Sequence, residues 1–166
     1  MNDVQTEHFQ SKGWSVHSWQ SMTGSNATVL QREPFRLSWF ATQLVTFVYI
    51  INRVPADYQD ILDDYDALRT FAGKNKRTFL PFAIQCGYAL LPIYIGTTFT
   101  DKLVADVRMT YKKRWCVIHV PSLLESETGK LHSLEVESYW GCVYRDFIRV
   151  TLADVASVLT SYNNAA

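Results

Sequence analysis

The chain has 166 residues, 48% hydrophobic and 14% aromatic, and its sixteen Lys and Arg balance sixteen Asp and Glu. That length suits one domain with a sizeable core, and the composition excludes a disordered chain. A formal net charge of zero argues against a dedicated nucleic-acid binder, which normally carries a clear basic excess, and favours association with a protein partner or with a second copy of the chain.

Residues 1–12 carry little periodicity and are expected to fray. "WSVHSWQSM" and "ATVLQRE", on either side of "TGSN", predict an N-terminal hairpin. Residues 37–51 are rich in β-branched and aromatic side chains on both alternating faces, the pattern of a strand covered on both sides. A straight strand of that length would run roughly 50 Å at about 3.3 Å per residue. A compact domain of this size is only about 40 Å across, so the strand must bend, bulge or begin after a turn near Phe35. The same run is interrupted by Ser38, Thr42, Gln43 and Thr46 and is shorter than the roughly 20 apolar residues of a membrane span. It reads as core.

"NRVPADYQDILDDYDALRTFAGK" predicts the clearest helix. Tyr58, Ile61, Leu62, Tyr65, Leu68 and Phe71 recur on one stripe, and Asp57, Asp60, Asp63 and Asp64 load the N-terminal half. Gly73 then acts as a C′ stop, with Lys74 and Lys76 beyond it. Residues 90–95 read as a strand, in which Pro92 fits an edge position or the side that makes no hydrogen bond. Thr100 caps a short helix through about Met109, and "RWCVIHVP" is a strand. "ESETGKLHSLEV" predicts a hairpin with Gly129 left-handed at the turn. Trp140, Tyr144, Phe147, Ile148, Thr151, Leu152, Val155, Leu159 and Tyr162 place a last helix after Ser138. No repeat or linker divides the chain. The expected fold is α+β, a single domain over 1–166 with a mixed β-sheet packed by about three helices, in the order ββ-β-α-β-α-β-β-α.

Chemistry is less legible than fold. Neither GxSxG, GxxxxGK[ST] nor GxGxxG occurs, so no catalytic residue and no cofactor is assigned, and the balance leans away from an enzyme. Cys86, Cys116 and Cys142 are far apart, odd in number and contain no CxxC pair. They argue against a disulfide scaffold or a thiolate zinc site and suggest reduced thiols in a cytoplasmic protein. The first thirty residues hold no apolar signal-peptide core.

Four groups remain as candidates. Asp60 shares a helical face with Asp63 and with Asp64, a spacing that suits Mg²⁺ but more often marks a solvated face; no metal site is assigned. His119, His132, Glu125, Glu127, Glu135 and Glu137 fall in one strand-and-hairpin segment and define a small-ligand or metal-dependent alternative, although the histidines stand thirteen apart on different strands. "GTTFTD" follows a strand and opens a helix, so Gly96, Thr97 and Thr98 with Arg53 form a candidate anion site for a small acidic ligand. Lys74, Lys76 and Arg77, and Lys112, Lys113 and Arg114, are two basic clusters that each follow a helix and precede a strand. Cations stabilise helix C-termini without any ligand. If both junctions open on the same edge, however, they merge into one patch for an acidic partner or a nucleic-acid backbone. The reading with most support is a binding or protein-interaction domain, with a protein partner or self as the partner, no membrane, and nucleic acid disfavoured.

Overall fold

In a computed structural model, the structure describes residues 3–20, 26–36, 42–76, 86–110, 116–135 and 144–163. Four helices and eight strands are described: α1 Asp3–Ser11, β1 Ser15–Gln20, β2 Asn26–Arg32, β3 Phe35–Arg36, β4 Thr42–Ile51, α2 Tyr58–Asn75, β5 Cys86–Gly96, α3 Asp101–Met109, β6 Val117–His119, β7 Ser122–Glu125, β8 Leu131–His132 and α4 Arg145–Asn163. All strands belong to one mixed sheet in the order β1-β2-β4-β5-β7-β8, with β3 on β4 and β6 on β5. β1, β2 and β4 form an antiparallel meander, β4, β5 and β6/β7 run parallel, and β8 returns antiparallel.

Two prolines explain why eight strands fill six places. β2 and β3 keep a single register along β4, from Ala27 opposite Ile51 to Arg36 opposite Thr42, and are separated only at Glu33 and Pro34. β6 and β7 likewise continue one register along β5, broken at Val120 and Pro121. Pro92 lies inside β5, paired with Tyr49, and β5 is flanked by strands on both sides. The expected edge position is therefore corrected. A proline in a central strand forfeits a ladder bond, and in register Pro92 lies across from the gap between β6 and β7, where the loss falls on an already broken ladder.

The sheet is covered on both faces. Phe9 of α1 and Ile148, Leu152, Val155 and Leu159 of α4 pack with Leu30, Leu44, Val48, Ala89, Leu91 and Ile93 on one face. Ile61, Tyr65 and Leu68 of α2 and Leu103 and Val107 of α3 pack with Val29, Phe47, Tyr49, Leu90, Tyr94 and Leu123 on the other. Two-sided burial explains why β4 reads as a continuous apolar run with no alternation.

Helix details follow local chemistry with three exceptions. Asp57 caps α2 by accepting the Asp60 N–H at 3.0 Å, and Thr100 caps α3 by accepting the Leu103 N–H at 3.3 Å. Gly129 turns the β7–β8 hairpin at φ +70°, as its position predicts. The stretch expected to fray contains α1, held by the burial of Phe9 and Gln5 and not by periodicity. α2 runs through Gly73 to Asn75, because the Lys76 N–H bonds Ala72 O and closes the helix there. Leu62 sits at the flank of the α2 stripe, partly exposed, while Ile61, Tyr65 and Leu68 are buried. Among the described residues no helix is long and apolar enough to cross a membrane.

Candidate functional site

The parallel strands have two edges, and the candidate residues divide between them. β4, β5 and β7 end side by side, with Ile51 opposite Tyr94 and Gly96 opposite Glu125. Arg53, two residues past the end of β4, therefore reaches the level of Gly96, as the anion-site reading requires. Its guanidinium turns to α2 instead. Nη1 donates to Asp60 Oδ1 at 2.6 Å and Nη2 to Asp64 Oδ2 at 2.6 Å. Tyr94 OH adds a 2.9 Å bond to the same Asp64 oxygen, and the guanidinium carbon lies 5.7 Å from the Tyr94 ring centroid.

The carboxylate pair seen in the sequence as a Mg²⁺ candidate thus clasps an arginine. Burial works to raise the Asp60 carboxyl, but hydrogen bonds from Arg53 and from the Ala56 N–H, with the guanidinium charge, hold it below the usual carboxylate range. Burial, and next the Asp64 charge, push the Tyr94 phenol up, so it stays protonated and donates.

The space over Gly96 is also taken. A Cβ there would lie 2.5 Å from Val54 Cγ2 and 3.1 Å from Phe99 Cζ, so the glycine permits close packing of the loop after β4. Ser126 N–H occupies its carbonyl at 2.8 Å. Thr97 and Thr98 are exposed. The four residues of the expected anion site share one edge, but Arg53 is already engaged and no cradle opens above Gly96.

The histidine cluster is partly assembled. His132 Nε2 lies 2.8 Å from Glu125 Oε1, and its Nδ1 lies 3.1 Å from Arg108 Nη2. Arginine can only donate, so Nδ1 accepts and the ring proton sits on Nε2, pointing at Glu125. Thr128 OH donates to the other Glu125 oxygen at 2.6 Å and, with the His132 N–H, holds that carboxyl below its usual range. Glu135 lies 3.2 Å from Arg108 Nε and ends the chain of charges.

His119 takes no part. It is buried against Tyr65, ring centroids 5.0 Å apart, four residues before Leu123, the register partner of His132. Glu127 is exposed and Glu137 lies outside the described residues. Among the described residues no three His, Cys, Asp or Glu side chains converge as metal ligands. With both ring nitrogens engaged, His132 is a strut between α3 and the β7–β8 hairpin. Tyr94 and Arg108 complete these networks without any signal in the sequence, since their partners are remote along the chain.

The opposite edge is where the strands after the basic junctions begin. β5 and β6 are parallel neighbours, with Tyr88 opposite Val117, and the helices before them, α2 and α3, cover the same face. The junction after α2 opens on the amino edge at Cys86. α3 instead ends at Thr110, whose carbonyl accepts from Tyr58 OH at 3.4 Å by the start of α2, and the described chain is back at the amino edge at Cys116. Lys74 and Lys76 end α2 there, and the Lys76 charge acts on Cys86 at the first position of β5. Arg77, Lys112, Lys113 and Arg114 lie outside the described residues, but Lys112 to Arg114 stand two to four residues before Cys116, a reach of at most about 14 Å.

Beside this edge Gln31 Nε2 donates to Glu33 Oε1 at 2.8 Å and to the Asn75 carbonyl at 2.9 Å, while Gln43 donates to the Glu33 carbonyl at 3.2 Å. The aspartates of α2 crowd its other end, one helix length away.

Comparison of the chain with protein families, curated proteins and solved structures returns no match. Its function rests on its own geometry.

Proposed function

We propose that this domain is a binding module that takes an acidic protein segment at the amino edge of its parallel strands. One observation supports the reading: β5 and β6 are parallel neighbours that both begin at the amino edge, where Lys74 and Lys76 end α2, and Lys112 to Arg114 stand within a few residues of Cys116 along the chain. Lys74 and Lys76 alone are accounted for by electrostatics at the end of α2. Gathered at that edge, the two clusters would make a polarised surface on a chain whose formal net charge is zero. Such segregation steers and orients an acidic partner without giving the whole molecule a basic character. The ionisable groups at the carboxyl edge support the same reading, because Arg53 and His132 are bound up in internal pairs.

The test is fluorescence anisotropy with a labelled peptide rich in Asp and Glu and, separately, a labelled oligothymidine, at about 50 and 200 mM salt. The peptide should bind at low salt and weaken at high salt. Reversal of either cluster, Lys74→Glu with Lys76→Glu or Lys112→Glu with Lys113→Glu, should weaken it further. Binding indifferent to one of the clusters would sink the shared-edge reading. Tighter binding of the oligonucleotide than of the peptide would make the partner a nucleic-acid backbone.

A further inference from the structure

Cys86 opens β5 and Cys116 stands immediately before β6. Tyr88 N–H donates to the Cys116 carbonyl at 3.0 Å, and a Cβ built on Gly87 would lie 3.1 Å from that same oxygen. Cys116 is therefore beside Gly87 and one diagonal step from Cys86. An extended residue there would face the other side of the sheet, but the positive φ of Cys116 takes it out of the extended ladder, and its charge acts on Cys86. With strands about 4.8 Å apart and about 3.3 Å of rise per residue, that diagonal is about 6 Å. A disulfide spans Cα separations of about 4.4–6.8 Å. Neither cysteine is in a disulfide; Cys86 is buried, and Cys116 is partly exposed. Cys116 also holds φ at +56°, a conformation that residues other than glycine adopt only where the surroundings impose it.

We propose that Cys86 and Cys116 are a thiol pair that peroxide converts to an intramolecular disulfide across the amino ends of β5 and β6. The exposed partner reacts first. The Cys116 thiolate attacks one peroxide oxygen, the O–O bond breaks, and hydroxide leaves a sulfenic acid. The Cys86 thiolate then attacks the Cys116 sulfur, the S–O bond breaks, and the hydroxyl departs as water after taking up a proton. Two thiols lose two electrons in all, and one peroxide is reduced to two waters. Burial raises both thiols above their ordinary range, so the thiolate fraction is small at neutral pH and the crosslink forms faster as pH rises. The inference stands on strand geometry and does not depend on the acidic-partner reading.

Trypsin separates the three cysteines into peptides 78–102, 115–130 and 131–145. The folded chain is treated with hydrogen peroxide at neutral and at alkaline pH, alkylated, digested and mapped by mass spectrometry, with a non-reducing gel to separate single chains from crosslinked ones. The expected product is 78–102 joined to 115–130 within one chain, in yield that rises with pH and persists in Cys142→Ser. Linkage through 131–145, linkage only between chains, or Cys116 oxidised to sulfinic acid while Cys86 remains alkylatable would each overturn the proposal.

Discussion

Arg53 and Asp64 meet across the seam between α2 and the sheet, Nη2 to Oδ2 at 2.6 Å, with Tyr94 OH on the same oxygen. The Asp64 side chain is 6% exposed and that of Arg53 19%. Removing one member of a buried pair leaves the other charge uncompensated and costs about 3–5 kcal/mol. Here Asp60 still holds the guanidinium, so Asp64→Asn should cost about 2–3 kcal/mol by urea unfolding. Asp60→Asn, at a more exposed carboxylate, should cost about 1 kcal/mol. Equal losses would mean that Asp64 is not the anchor of the network.

Acid should find the same network. The folded-state pKa of Asp60, and that of Glu125, lies below its ordinary value, so the unfolded chain binds protons more readily. Each contributes stability that is complete above its unfolded pKa, about 4, and is lost as pH falls through the depressed folded value. The urea midpoint should drop between about pH 5 and pH 3. The drop should be shallower in Asp60→Asn, because that variant has lost one of the titrating groups. An identical pH profile in the two proteins would refute the coupling.

The α2 stripe divides into core and flank. Leu68 is fully buried, so Leu68→Ala should cost about 2–5 kcal/mol. Leu62 is partly exposed, and Leu62→Ala should cost about 1 kcal/mol or less. Thermal or urea unfolding of the two variants decides the matter, and a reversed order would rotate the helix about its axis.

Gly96 and Val54 make a steric pair. A methyl at 96 would meet Val54 Cγ2 at 2.5 Å, so Gly96→Ala should cost about 1–3 kcal/mol. In a Val54→Ala background the penalty should shrink, since Val54 is half-exposed and contributes little by itself. A double-mutant cycle measures the coupling, and additivity would mean that the two side chains do not compete for one space.

What the sequence disclosed depended on how far apart the partners lie. α2 and α3 carry their caps and stripes within one segment, and the β7–β8 turn carries Gly129, so each could be read locally. α1 could not: its buried side chains are Gln5 and Phe9, and its stability comes from the α4 face of the core. Of the two settings expected for Pro92, the edge is excluded by its central strand, and the side without a ladder bond depends on a gap in another strand. Arg53 and Gly96 stand at one level of the carboxyl edge, and of the six His and Glu residues grouped by sequence Glu125 meets His132. Their engagement by Asp60, Asp64, Tyr94 and Arg108 is a through-space fact that no spacing encodes. Of the basic clusters only Lys74 and Lys76 lie among the described residues, at the end of α2.

The order of strands also sets a timetable for synthesis. β1, β2 and β4 are all available once the chain has reached Ile51, and every side chain from 44 to 51 is buried in the finished fold. β4 receives its second neighbour only after the chain has run through α2 to Gly96. In that interval the meander presents an open hydrogen-bonding edge and two uncovered apolar faces, the features by which nascent chains stick to one another. Truncated products ending between 51 and 96 are thus the forms of this protein most in need of a chaperone, and ribosome stalling within α2 would be its most hazardous moment.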